Sequence, residues 1–377
     1  MSNAYSIPRR RRRHWPLGLV IAFIVLGGLW VTAWYYGAGV AERTIDGWKA
    51  REAKAGRIYT CAQQTVGGFP FGIDIRCADP GADFRSNNPP VALKAKDMVI
   101  SAHVWQPTVL TTDFAGPLTI AEPGQDTRIT ATWTRAQSLV HGLPASPEDV
   151  SFRVEQPLVN RSGDSQSLFK ADRLDLDGRL LSGSVRDHPV IEAVLKLAAA
   201  TAPYWHPAAA TPVDADITAV LRGLDDFSPK PWRARFRELQ AAGGRIEISK
   251  ARVQQRDTIA VASGVLGLTP SGHLNGELRL TVANLDRLLP TLGLDRLLSQ
   301  DRAPPKLNKT FSALDRIMPG LGDVARQNAG PMLSAGIAMM GEPTELEGQR
   351  AVALPLRFDD GMASLGPLKL GMTPALF

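Results

Sequence analysis

The sequence predicts a mainly β fold with a few helices (α+β): one N-terminal transmembrane helix followed by a large antiparallel, curved sheet domain. Three observations carry this reading. Twenty consecutive residues, Leu17 to Tyr36, hold no charge. Most segments beyond residue 56 alternate apolar and polar residues, the period-two signature of a sheet with one face covered. Turn signals separate those segments without the long helical patterns that βαβ units require.

At 377 residues the chain is long enough for two or three average domains or one large β-architecture. Its 44% hydrophobic and 21% charged content is that of a folded protein. The net charge of +6 invites a nucleic-acid partner, but its distribution excludes one. Residues 1–16 form a basic tail with Arg9, Arg10, Arg11, Arg12 and Arg13 and no acid. Without those five, the 43 basic residues fall to 38 against 37 acidic ones, leaving no concentrated basic surface.

Residues 17–36 come next. At 1.5 Å per residue they span about 30 Å, the thickness of a hydrocarbon core. Trp30, Trp34, Tyr35 and Tyr36 gather at one end and Trp15 stands at the other, where amphipathic rings favour the headgroup level. The arginine run precedes the span, whereas Glu42, Arg43 and Asp46 after it nearly balance. The positive-inside bias therefore places the N-terminus in the cytoplasm and the rest across the membrane. A cleaved signal peptide and a buried core helix are the competing readings. The apolar stretch exceeds a usual signal h-region, and Gly39-Val40-Ala41 is a poor cleavage site. Residues 37–56 read as a helical stalk, with Val40 to Lys54 helical in composition and Gly56 at its end.

Residues 57–377 read as a β-rich domain in the periplasm. Cys61 and Cys77 are its two cysteines, in stretches that read as strands flanking the turn-rich Gly67-Gly68-Phe69-Pro70. A hairpin folded there sets the two cysteines opposite each other, within about 4.5–5.5 Å between Cα atoms. A structural disulfide is the expectation, favoured by an oxidising compartment, with two unpaired thiols as the alternative. The pair is not a CxxC, and no histidine pair stands near to complete a metal site.

Strand periodicity follows in TRITATW, DVSFRV, FKADRLDLDGRL, VDADITAVL, GGRIEISKARV, HLNGELRLTV and AVALPLRFDDG. Helices are expected over Pro189–Ala200, over Leu285–Gln300 with a break at Pro290 and Gly293, and over the Met-bearing Asp315–Met340. Ala202–Pro212 and Arg302–Lys309 read as loops or boundaries. Two related sheet halves could meet near 202–212, since KAKDMVISAHVW and AGGRIEISKARV echo each other.

No catalytic, metal-binding or cofactor-binding residues emerge. The exported histidines His103, His141, His188, His206 and His273 form neither HxH nor HExxH, and no GxSxG, P-loop or GxGxxG is present. Asp225-Asp226 and Asp359-Asp360 read as turns.

Several segments in order resemble a bacterial family, domain of unknown function 2125. They are the basic tail and single span, Trp48-Lys49-Ala50, and the unit from Cys61 through Gly67-Gly68-Phe69-Pro70-Phe71 to Cys77. GGRIEISKARV, Ser271 to Leu278 with Val282-Ala283-Asn284-Leu285, and Leu354 to Gly361 with Leu365-Gly366-Pro367-Leu368 complete the set. The strand leading into Asn284-Leu285-Asp286 also looks like AsmA-type envelope proteins, which present long curved sheets with apolar grooves. The resemblance implies a single-pass bacterial inner-membrane protein concerned with envelope or lipid homeostasis. It transfers no catalytic residues, so a non-enzyme is expected. The expected partners are the lipid bilayer, a lipid or other apolar ligand, and envelope proteins; a scaffold for envelope assembly and an unrecognised hydrolase are the alternatives.

Overall fold

The computed structural model describes residues 15–284 and 341–377, except positions 88, 125, 127, 144, 165, 166, 206, 229 and 367. The arginine run and the segments expected as helices over Leu285–Gln300 and Asp315–Met340 lie outside the described residues, as does the Arg302–Lys309 loop.

Span and stalk form one unbroken helix, α1 (Trp15–Lys54), long and apolar enough to cross a membrane. It stops where Gly56 takes a φ of +79°, the left-handed conformation that ends many helices.

The chain then builds two antiparallel sheets by turns. β1 (Arg57–Thr60) enters a seven-stranded sheet, and β2 (Gln63–Gly67) and β3 (Gly72–Ala78) a sixteen-stranded one. β4 (Gly81–Phe84) and β5 (Val91–Lys94) return to the small sheet, and β6 (Asp97–His103) and β7 (Gln106–Ala115) to the large one. β8 (Leu118–Ala121) and β9 (Ile129–Thr132), then β10 (Arg135–His141) and β11 (Asp149–Glu155), repeat the exchange. β12 (Leu158–Arg161) and β13 (Ser167–Lys170) finish the small sheet.

Each crossing is a dipeptide: Cys61-Ala62, Asp79-Pro80, Ala95-Lys96, Gly116-Pro117, Trp133-Thr134, Gln156-Pro157 and Ala171-Asp172. Three end in proline, which cannot donate to a ladder and so interrupts a strand. Backbone bonds nevertheless run along these breaks, from Ala62 N–H to Ala78 C=O, Asp79 to Lys96, Lys96 to Ala115, Thr134 to Glu155, and Gln156 to Asp172. The two sheets are thus arms of one meander folded along a hydrogen-bonded crease.

The large sheet continues alone through β14 (Arg173–Ser184), β15 (Asp187–Ala200), β16 (Val213–Arg222), β17 (Arg245–Gln255), β18 (Thr258–Leu268) and β19 (Leu274–Ala283). β20 (Glu342–Leu346), β21 (Gln349–Asp359), β22 (Met362–Leu365) and β23 (Leu368–Met372) complete it. It stays open, from β2 at one edge to β23 at the other. A twist of roughly −20 to −25° per strand accumulates over so many strands, and wide open sheets curl.

Three expectations are corrected. Pro189–Ala200 is strand β15, not a helix. Ile191, Ala193, Leu195 and Leu197 alternate there as well as they fit a helical period, and pairing with β14 and β16 on both sides decides the matter. The loop at 202–212 joins β15 to β16, which pair directly with Ala200 opposite Val213; the division between sheets is the crease instead. Cys61 sits on a crossing dipeptide rather than in a strand, and Gln64 is the residue opposite Cys77. The disulfide forms all the same, with 5.6 Å between Cα atoms, and it staples the first fold of the crease. By contrast, Asp360 and Gly361 make the expected hairpin turn between β21 and β22, both at positive φ.

A second helix, α2 (Trp232–Ala241), lies on β18. It buries Leu239 and Arg235 one turn apart.

Candidate functional site

Register places an apolar row across twelve strands of the large sheet. Ile75, Ile100, Thr112, Ser138, Phe152, Leu176, Leu195, Ile217, Ala251, Ala262, Leu280 and Leu354 are successive partners from β3 to β21. Residues two apart on a strand share a face with their cross-strand partners. The flanking row from Met98 through Phe114, Ala136, Val154, Leu174 and Leu197 to Val282 and Val352 therefore lies on the same side. At about 4.8 Å per strand this face runs roughly 50 Å.

The other side carries charge. Arg153 and Asp175 are register partners there, as are Asp216 and Arg252, and Lys250 reaches Asp216 at 2.6 Å. The Arg76 guanidinium beside Asp97 holds that carboxyl below the usual carboxylate range.

Burial along the apolar face is uneven. Near its far end Val282 and Leu354 are each 1% exposed and pack with Leu280, Val352 and Leu365. In mid-sheet Leu176 is 45% exposed and Val150 41%. A dry sandwich would cover such residues, so among the described residues the face is open around Leu176 and Val150, whereas Ile75, Thr112, Ala136 and Val154 nearer the first strands are buried.

The small sheet is also two-sided. Tyr59, Ala82, Leu93, Ile120 and Ile129 are successive partners on one face. The Trp48 ring of α1 packs on Tyr59 at 4.6 Å, and Ile73, on the apolar face of the large sheet, reaches to the backbone of Gly37. One helix touches both apolar faces, so both turn to the same side of the crease. α1 closes the first-strand end of the trough they form.

Where α1 meets the large sheet there is a cavity of about 330 Å³, within the range of ligand pockets. Trp30, Ala33, Trp34 and Gly37 line it from the helix, and Ile73, Ala102, His103, Val104 and Pro107 from the sheet. The indole N–H of Trp30 donates to the Pro70 carbonyl at 3.0 Å and that of Trp34 to the Gly72 carbonyl at 2.6 Å. Phe69 meets Trp34 edge-on at 5.5 Å, and His103 stacks on Trp105 at 5.1 Å. The aromatic end of the apolar span is thus built into the domain, and Ala38 beyond it is buried. Sequence reasoning assigned these tryptophans only to a membrane interface. The uncharged strand-flanked tips Gly67–Gly72 and Val104–Trp105 were the available signal for more.

Of the acid pairs, Asp226 is tied rather than free in solvent. Lys230 lies 3.1 Å and Arg235 3.4 Å from it, and both also bind Glu238, at 2.9 Å each. This network pins α2 to the Asp225–Ser228 turn. Ser271, His273 and Asp360 also meet, at the β18–β19 connection. Ser271 Oγ donates to Asp360 Oδ1 at 2.6 Å, and His273 Nδ1 lies 3.1 Å from Ser271 Oγ. With Thr269 these bonds hold the Asp360 carboxyl below its usual range. A hydrolytic triad passes the serine proton to histidine with the acid behind it; here the serine bonds the acid directly, which locks two turns together. Among the described residues, no group of three or more His, Cys, Asp or Glu side chains could hold a metal ion.

No curated protein matches the chain, and no solved structure does. One family model does, described as an uncharacterized protein conserved in bacteria, over residues 34–374. The match takes in the aromatic end of α1, the crease, both sheets and the disulfide, and so the chain belongs to this bacterial family, DUF2125.

Proposed function

We propose that this is a single-pass protein of the bacterial inner membrane, its N-terminus cytoplasmic and its sheets periplasmic, whose trough holds the acyl chains of a lipid in envelope or lipid homeostasis. The observation that carries the reading is a row over twelve strands, apolar at all but Thr112 and Ser138, and left open in mid-sheet at Leu176 and Val150. Apolar side chains left open in this way are costly in water, at roughly 25 cal/mol per Å², and a contiguous open patch marks a binding surface.

Retention of the span is supported by Trp30 and Trp34, whose hydrogen bonds make it part of the domain. The Cys61–Cys77 disulfide supports an oxidising compartment, and the Arg9–Arg13 tail supports a cytoplasmic N-terminus. The proposed role needs no bond-making step.

Site-specific photocrosslinking in native membranes tests it. A photoreactive residue at Leu176 or Leu195 on the trough should capture phospholipid, and one at Arg153 on the opposite face should not. Equal capture at Arg153, or none at either trough position, would overturn the reading; protein adducts alone would replace it with a scaffold.

A further inference from the structure

Two hairpin tips flank the cavity beside α1, and both carry large apolar side chains that the protein leaves uncovered. The β2–β3 tip presents Phe69 and Phe71, 51% and 56% exposed, and the β6–β7 tip presents Val104 and Trp105, the latter 63% exposed. Phe71 and Trp105 lie 6.1 Å apart, so the two tips form one patch. No charged residue stands between Gly67 and Ile73. Gly68 makes the first tip this tight: its φ is +94°, and a Cβ there would lie 2.9 Å from the backbone of Gly72.

The patch has a fixed height along the apolar helix. The bond from Trp30 to the Pro70 carbonyl sets the first tip level with Trp30. That residue precedes Tyr36 by six positions, about 9 Å at 1.5 Å per residue. If α1 spans the membrane, the tip lies below the end of the span, at the depth of roughly 5–10 Å typical of interfacial segments. An aromatic patch without charge is what the headgroup–acyl boundary accommodates.

We propose that both tips are seated in the leaflet on the domain side of the membrane, with Phe69, Phe71, Val104 and Trp105 among headgroups and upper acyl chains. The cavity between Trp30, Trp34 and Ile73 then opens sideways into lipid. This rests on reading α1 as a span.

Spin labels at Phe71→Cys, Trp105→Cys, Leu26→Cys and Glu345→Cys of the full chain, in phosphatidylcholine–phosphatidylglycerol vesicles, separate the possibilities. Oxygen-over-nickel-chelate accessibility at 71 and 105 should exceed that at 345 several-fold. Labels at 71 and 105 that match 345 while 26 reads as lipid-embedded would overturn the tips alone. A water-exposed label at 26 would overturn the anchor with them. The unaltered protein gives a second measurement: an acyl-chain diazirine phospholipid should mark the peptides holding residues 68–72 and 103–107, and failure to mark either counts against the proposal.

Discussion

Replacing Cys61 and Cys77 together by alanine removes the covalent tie across the first fold of the crease. The two positions are 16 residues apart in sequence, and loop-closure entropy for a ring of that size is about 3 kcal/mol at 25 °C. The loss should be local. β1 is held to the rest by four register pairs with β4 and by α1, so this first fold can open without disturbing β17 to β19. Hydrogen exchange read by mass spectrometry on the full chain in nanodiscs resolves this. About 3 kcal/mol corresponds to roughly two orders of magnitude in the opening equilibrium. Amides of Ile58 to Phe84 should lose up to that much protection while those of β17 to β19 keep theirs. Unchanged exchange over 57–84 would refute the staple, and an equal loss across both regions would refute its locality.

Acid should release α2. Burial raises the Glu238 carboxyl, but the Lys230 hydrogen bond, the Asp225 N–H and the Arg235 charge outweigh it and hold the group below its ordinary value; Asp226 is held lower still, burial again being outweighed, here by bonds from Ser228 and Lys230. Depressed folded values give stability that is present above the unfolded carboxylate range and lost as pH falls through them. Exchange over Trp232–Ala241 should therefore rise below about pH 4. Glu238→Gln should cost about 3 kcal/mol locally and weaken that pH dependence. Leu354→Ala should cost about 3 kcal/mol in urea denaturation, whereas Leu176→Ala, at a half-exposed trough position, should cost less than about 1 kcal/mol. Equal costs would mean that mid-sheet is packed and the trough closed.

The strands were legible because one face of each is apolar, and Ile246 with Ile248, or Leu278 with Leu280, shows it directly. Pro189–Ala200 misled because alanine favours helix and an apolar stretch bearing Glu192 and Lys196 fits either period. α2 went unnoticed because its apolar stripe is narrow and a buried arginine occupies part of it. The crease was not legible at all. Asp79-Pro80, Gly116-Pro117 and Gln156-Pro157 look like turns between strands, and only pairing on both sides shows that the chain bends there and continues. The apolar row depended on register, which single strands do not specify.

That row also bears on how a trough could work if it takes lipid. A methylene passing through water costs about 0.8 kcal/mol, so a chain of many carbons needs an apolar path without gaps. Thr112 and Ser138 are the polar members of the central row and stand side by side on β7 and β10. Two adjacent hydroxyls would interrupt a path one row wide. Both are flanked on their own strands by apolar side chains of the same face, Leu110 and Phe114 about Thr112, and Ala136 and Val140 about Ser138. The apolar row therefore continues on either side of the hydroxyls, where Thr112 and Ala136 are buried, and the open positions begin at Val150 and Leu176. Beyond these, the closed core at Val282 and Leu354 ends the accessible stretch, and toward α1 Ile75, Thr112, Ala136 and Val154 are buried too, so the open positions lie between two packed regions of the face.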